Sequence, residues 1–311
     1  MKQYISLFFK GIGMGAANVV PGVSGGTIAL ITGIFEKLID SIKSFNLTAL
    51  NLLLHGKFRQ FASHVNLNFL LAVFAGVFTS IISIARVFGY LLEHHPIHLM
   101  SFFFGLILAS IYFVGKTIDK WNIPVIISFV AGTTVAVLLS ILEPAQQNSS
   151  LWYLFICGIV ATCSMILPGL SGSFVLILMG NYQLVMIDAV NNLDIGILLP
   201  VVIGAVTGLL LFSNLLSWLY KKFRNPTIAV LTGFILGSLG IIWPWKTEIH
   251  AKNELGQIIY KDGETIIEGY NWFVPEHFNT EVFLAVIFII LGIVVIWGTE
   301  MVASKKTLYT K

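Results

Sequence analysis

The chain has 311 residues, of which 57% are apolar and only 11% are charged, with a net charge of +3 and a mean hydropathy of +0.89. Soluble domains carry about 25% charged residues, so this chain cannot cover a water-facing surface and the bilayer must be much of its solvent. Its basic residues sit in short connections rather than on one face, which excludes nucleic acid as the partner.

In chain order, Met1 to Phe9 runs into a glycine-rich apolar stretch without a convincing cleavage site, so targeting is expected from the first membrane segments themselves. The apolar region at about 4–42 is cut by Pro21-Gly22. Full spans follow at about 67–92, 97–115 and 123–142, each long enough for a hydrocarbon core of about 30 Å. A second interrupted apolar region, about 150–190, is cut by Pro168-Gly169, and further spans follow at about 196–219, 227–243 and 281–302. The pieces on either side of each break are about 17 to 22 residues long. Proline removes a backbone donor and glycine loosens the chain, so no helix passes smoothly through either break. Each interrupted region is then either two complete spans joined by a tight turn or a re-entrant hairpin with its tip inside the membrane. The small polar tips suit a cavity lining, where non-helical backbone is tolerated, and favour the hairpin.

The polar stretch at about 244–280 contains Ile258-Ile259-Tyr260 and Thr265-Ile266-Ile267 around Asp262-Gly263. Asp-Gly accepts the positive φ angles of a tight turn, which predicts a small β-hairpin that serves as a connector, a cap or a partner contact.

Loop charge sets an orientation. With the N-terminus in the cytoplasm, 14 basic residues fall inside: Lys2, Lys10, Lys37, Lys43, Lys57, Arg59, Lys116, Lys120, Lys221, Lys222, Arg224, Lys305, Lys306 and Lys311. Three fall outside, Lys246, Lys252 and Lys261, and Arg86 lies within a span. The positive-inside rule therefore puts both termini in the cytoplasm. Hairpins and full spans satisfy it equally, because both cross an even number of times.

The two halves of the chain match. Pro21-Gly22-Val23-Ser24-Gly25-Gly26 aligns with Pro168-Gly169-Leu170-Ser171-Gly172-Ser173, and Gly33 then falls on Gly180. Among the spans Gly76 meets Gly204, Thr79 meets Thr207, Gly105 meets Gly233 and Ser110 meets Ser238. Each half, 1–142 and 150–302, reads as one hairpin and three spans. Three crossings is odd, so the halves are oppositely oriented. The expected fold is an all-α integral membrane protein built as an inverted repeat, in which broken helices meet near the midplane and form the site. Tight helix packing alone would also retain scattered glycines.

A break at Pro21-Gly22 leaves helix-start N–H groups without intrahelical partners, and the helix dipole adds partial positive charge there. Ser24 and Thr27 supply hydroxyls, and Gly25 and Gly26 let a ligand approach the backbone. Pro168, Gly169, Ser171, Gly172 and Ser173 can act likewise from the other side, making an anion site without a charged side chain. Such a site suits a phosphate or a carboxylate. It is no nucleotide loop, since the Gly-Lys-Ser/Thr ending is missing. No histidine or carboxylate sits in an apolar segment beside Ser24 or Ser171, which argues against an enzyme. His55, His64, His94, His95, His98, His250 and His277 fall in loops or at span ends, His94 and His98 straddle Pro96, and Cys157 and Cys163 match no metal or redox spacing. No metal or other cofactor is expected. Arg86, about 19 residues into its span and so about 28 Å along it, is either a snorkelling arginine or a cation that draws in an anionic headgroup. Its repeat partner is Asn214. Glu36, Asp40 and Glu300 are read as interfacial.

Asn18-Val19-Val20-Pro21-Gly22-Val23-Ser24-Gly25-Gly26-Thr27 together with Leu167-Pro168-Gly169-Leu170-Ser171-Gly172-Ser173 resembles the bacterial DUF368 family over almost the whole chain. Members of that family are regarded as transporters that return undecaprenyl phosphate, a polyprenyl phosphate, from the outer to the inner leaflet of the cytoplasmic membrane. The resemblance therefore implies a flippase for a lipid monophosphate, serving recycling of the cell-wall lipid carrier. The residues alone leave two alternatives open: a secondary transporter of a small soluble anion such as phosphate or a dicarboxylate, and a membrane phosphatase. They specify neither the coupling ion nor the oligomeric state.

Overall fold

The computed structural model describes residues 2–19, 24–142, 144–250, 260–261, 264–265 and 267–308, with the side chains of a few, Arg86 among them, outside the description. The first half holds α1 (Lys2–Val19), α2 (Gly25–Ile31), α3 (Phe35–Lys43), α4 (Leu47–Leu54), α5 (Phe58–His64), α6 (Leu67–His94), α7 (Pro96–Gly115) and α8 (Ile123–Ile141). The second holds α9 (Leu151–Ile166), α10 (Gly172–Leu178), a π-helical turn Gln183–Asp188, α11 (Ala189–Asn191), α12 (Ile195–Lys222), α13 (Arg224–Gly237) and, after a strand region, α14 (Thr280–Leu308).

Local signals set the long helices. Pro96 occupies the first turn of α7, where its missing N–H leaves no bond unmade. Asn122 caps α8 by accepting from Val125 N at 3.2 Å, and Asp194 caps α12 by accepting from Gly196 N at 2.9 Å. Among the described residues α7, α8, α12 and α14 are each long and apolar enough to cross a bilayer, and α6, bent 67° from α5, makes a fifth. Outward side chains such as Phe78, Ile82, Ile127, Leu211 and Ile290 are more than half exposed, as lipid-facing residues are. The fold is thus that of a mostly helical integral membrane protein, as expected apart from its strand region.

Two expectations change. The stretch at about 227–243 is not one full span: α13 has 14 residues and gives way to a 3-10 turn at Ser238–Gly240. The return legs of the interrupted regions are also shorter than the spacing suggested. Helices α2 and α10 have seven residues each, about 10 Å, and neither can cross alone. Gly33 (φ +69°) and Gly180 (φ +71°) end them at matching positions, where the left-handed backbone favours glycine.

Four helix pairs dominate the packing, and glycines make each crossing. A Cβ on Gly11 of α1 would lie 2.1 Å from Val73 O, and one on Gly76 of α6 would lie 2.0 Å from Phe8 O. The α9–α12 pair repeats this with Gly158 (2.1 Å from Val201 O) and Gly204 (2.0 Å from Phe155 O). Helix α7 meets α14 through Gly105 and Gly292, and α8 meets α13 through Gly132 and Gly233. Backbones this close leave no room for a side chain, and in lipid such contact replaces the hydrophobic effect as the source of helix association.

At one end of the bundle Leu30 and Ile31 pack on Val114, Ile118, Val125 and Ile228. At the other, Trp243 and Trp245 pack against Ile97, Val282 and Ala285. The strand region sits at this second end, where Trp272 Nε1 donates to Gly240 O (2.8 Å) and Trp243 Nε1 to Phe273 O (3.0 Å). Strand β1 (Lys246–His250) leads to β2 (Tyr260–Lys261), which pairs with β3 (Glu264–Thr265), and β4 (Ile267–Trp272) returns against β1. The inner pair fits the expected hairpin, although Ile258, Ile259, Asp262, Gly263 and Ile266 lie outside the described residues. The outer β1–β4 pair was not foreseen.

Candidate functional site

The two helix breaks meet. On the first side Asn18, near the end of α1, accepts from Gly25 N at 2.7 Å. Ser24 is the N-cap of α2: its Oγ accepts from Gly26 N at 3.1 Å, and its carbonyl accepts from Thr27 N at 3.0 Å. The first-turn amides of α2 are therefore all engaged.

On the second side α9 stops at Ile166 because Pro168 cannot continue it and Gly169 turns left-handed at φ +86°. Any side chain at Gly169 would strike α13, with a Cβ 2.7 Å from Phe234 O. Ser171 caps α10, accepting from Phe174 N at 3.1 Å, and shares a hydrogen bond with Ser173 Oγ at 3.1 Å. The N–H groups of Gly172 and Ser173 have no protein partner among the described residues. Among the described residues the second break thus keeps two unpartnered N–H groups, that of the buried Gly172 and that of the exposed Ser173, beside the hydroxyls of Ser171 and Ser173.

Direct bonds join the breaks. Gly169 N donates to Thr27 Oγ1 at 3.0 Å, and Thr27 is fully buried. Ser24 Oγ donates to Leu167 O at 3.4 Å, and Gly26 is so close that a Cβ there would lie 2.9 Å from Ile166 O. The structure therefore brings Ser24, Gly26 and Thr27 against Ile166, Leu167 and Gly169, while Gly25 faces Asn18 and Met14 on its own side, and Ser171, Gly172 and Ser173 follow one turn further on. Pro21 and Gly22 lie outside the described residues, and Arg86 lies on α6 with its side chain outside them. The match is not symmetric. Thr27 falls on Phe174 and Gly26 on Ser173, so one break carries the bridging hydroxyl and the other the open pair.

Sequence reasoning missed two features. Asn18 was read only as a flank of the motif, yet it holds the amide seven residues on. Asp40, read as interfacial, ties α3 to the end of α12: Ser217 Oγ donates to its Oδ1 at 2.7 Å and Lys221 Nζ lies 2.8 Å from its Oδ2. Burial opposes ionisation of Asp40, but the Lys221 and Ser217 hydrogen bonds and the charges of Lys221 and Lys43 outweigh it and hold the carboxyl below its ordinary value.

Fold and site define a multi-helix membrane protein in which two matched, uncharged, serine-capped helix breaks touch. A family profile described as undecaprenyl phosphate translocase-like matches residues 14–259. A polyprenyl-phosphate transporter of Vibrio cholerae is 39% identical over 313 residues, covering 97% of this chain and 98% of that protein. A polyprenyl-phosphate transporter of Staphylococcus aureus is 30% identical over 253 residues, covering 76% of this chain and 84% of that protein. The chain belongs to the undecaprenyl phosphate translocase-like family, in line with the resemblance carried by the two motifs. No solved structure matches it.

Proposed function

We propose that the chain is a transporter of polyprenyl phosphate in the bacterial cytoplasmic membrane and that the headgroup passes the two helix breaks. Family membership and the two relatives' names support the substrate. The observation that carries the site is the contact between the breaks: neutral donors converge where no carboxylate repels an anion. The open N–H groups and hydroxyls of Gly172, Ser171 and Ser173 would receive the phosphate. Parting of Thr27 from Gly169 would expose further donors. The tail would stay in lipid while the site turns from one leaflet to the other, and the headgroup would undergo no bond cleavage.

The architecture we infer is an inverted repeat of residues 1–142 and 150–302, each with one re-entrant hairpin. The exchange of partners supports it. Pair α1–α6 corresponds to α9–α12, and α7–α14 corresponds to α13–α8, with glycines at matching positions in the first pair of crossings and at Gly105 and Gly233 in the second. The seven-residue return legs support hairpins over full spans. Loop charge supports cytoplasmic termini.

Purified protein in liposomes tests the substrate. Transbilayer movement of polyprenyl phosphate, without release of inorganic phosphate, is the expected result. Uptake of inorganic phosphate or a dicarboxylate while the lipid stays in its leaflet would overturn the reading.

A further inference from the structure

A polar cavity lies at the end of the bundle where α1 begins. It holds about 360 Å³ and is lined by Lys37 of α3, Arg59 of α5, Gln3 and Tyr4 of α1, and Asn66 and Asn68 at the start of α6. No carboxylate lines it, and neither cation has a carboxylate partner among the described residues. Lys37 Nζ is held over the Phe69 ring, 4.9 Å from its centroid. The Asn66 side chain does not cap α6, and the N–H groups of Leu67 and Asn68, two lining residues, have no partner among the described residues. Gln3 precedes Asn18 by fifteen residues on α1, so the cavity is about 22 Å from the first break.

The neighbouring helices fix its depth. On α4 only Ala49 is buried, while Leu47, Leu50 and Leu54, at one-face spacing, are 84%, 51% and 76% exposed. Phe58 opens α5 at 68% exposed, flanked by Lys57 and Arg59. A short helical pair with an apolar outer face and basic neighbours lies in the membrane interface, its apolar residues among the acyl chains and its cations at headgroup level. That places the cavity where lipid phosphates are. A phosphate monoester carries roughly −1.5 to −2 charge at neutral pH, which two cations match, and offers several acceptor oxygens for amide and guanidinium donors.

We propose that this cavity is a second anion site, which binds the phosphate monoester headgroup of a lipid at the membrane surface and is separate from the helix breaks. The proposal rests on the reading that the chain handles a lipid phosphate, and it makes the cavity a station at one end of the headgroup's path.

The test uses full-length protein in nanodiscs, in a Ser171→Leu, Ser173→Leu background that removes both hydroxyls of the second break and crowds its amides, so that the loss on neutralising Lys37 and Arg59 reads the cavity. Farnesyl monophosphate is titrated, with inorganic phosphate and farnesol alongside. Lys37→Gln with Arg59→Gln should weaken farnesyl monophosphate binding by about tenfold or more and leave the melting temperature unchanged, since both side chains are exposed. Lys37→Arg with Arg59→Lys should retain binding, and added salt should weaken the parent more than the neutral variant. Equal affinity in parent and neutral variant overturns the site. Inorganic phosphate bound as tightly as farnesyl monophosphate overturns the lipid as its source. A chain that moves no lipid phosphate in liposomes would defeat the transport reading, yet this binding measurement would still stand.

Discussion

Thr27→Val tests the bond that joins the two helix breaks. Valine keeps the shape of threonine but removes the hydroxyl, so the buried Gly169 amide loses the acceptor now 3.0 Å away. Thr27 and Gly169 are both buried, so water does not replace the lost acceptor. An unsatisfied buried donor costs about 1–3 kcal/mol. If the breaks part during function, that cost shifts the balance between joined and parted states by about 5- to 150-fold. Hydrogen exchange read by mass spectrometry on peptides spanning residues 167–171 measures this shift directly. Thr27→Val should raise the exchange rate of that segment by a factor in this range, while Thr27→Ser, which keeps the hydroxyl, should stay close to the parent. Unchanged exchange in Thr27→Val would refute the claim that this contact holds the breaks together.

Gly76→Ala and Gly204→Ala should each destabilise the purified protein by about 1–3 kcal/mol or more, because the added Cβ meets backbone oxygen at 2.0 Å in both. Gly298→Ala, where a Cβ meets nothing within 4 Å, is the control and should leave thermal unfolding unchanged. Asp40→Asn should cost about 1 kcal/mol or less at neutral pH, since Lys221 is half exposed and solvent screens the pair. The lowered value of the Asp40 carboxyl means that its stabilisation is fully present above the ordinary 3.8 and is lost as pH falls through the folded value. The difference in melting temperature between parent and Asp40→Asn should therefore hold from neutral pH down to the ordinary carboxyl value and shrink as the pH falls below it.

Much of the architecture was legible because the solvent is lipid. Long apolar runs, Pro96 and Pro124 at helix starts and the two Pro-Gly breaks mark helix limits with little tertiary context. The glycines that align between the halves of the sequence, Gly76 with Gly204 and Gly105 with Gly233, all sit at close helix crossings. Which helix each glycine faces was not legible, since Gly11, Gly158, Gly132 and Gly292 meet partners far along the chain. The same reason hid the Asp40–Ser217 bond, which spans 177 positions, and the β1–β4 pair, whose register no local turn signal encodes. The length of α13 was overread because apolar residues continue through Leu239, Ile241 and Ile242 after the helix has tightened into a 3-10 turn. At the site, hydroxyl and glycine spacing located the breaks correctly as helix starts. It gave no sign that the first break's donors are engaged internally and by the second. Lys37 and Arg59 served only as markers of orientation, because nothing local shows that α3 and α5 bring them to one cavity.

The central claim is that the phosphate headgroup passes the two helix breaks. A structure of the protein with polyprenyl phosphate bound, trapped during turnover in nanodiscs, tests it most directly. Phosphate density is expected within hydrogen-bonding reach, about 3 Å, of Ser171, Gly172 or Ser173, with Thr27 and Gly169 drawn apart. Headgroup density found only elsewhere, with the Thr27–Gly169 contact intact in every conformation, would contradict it.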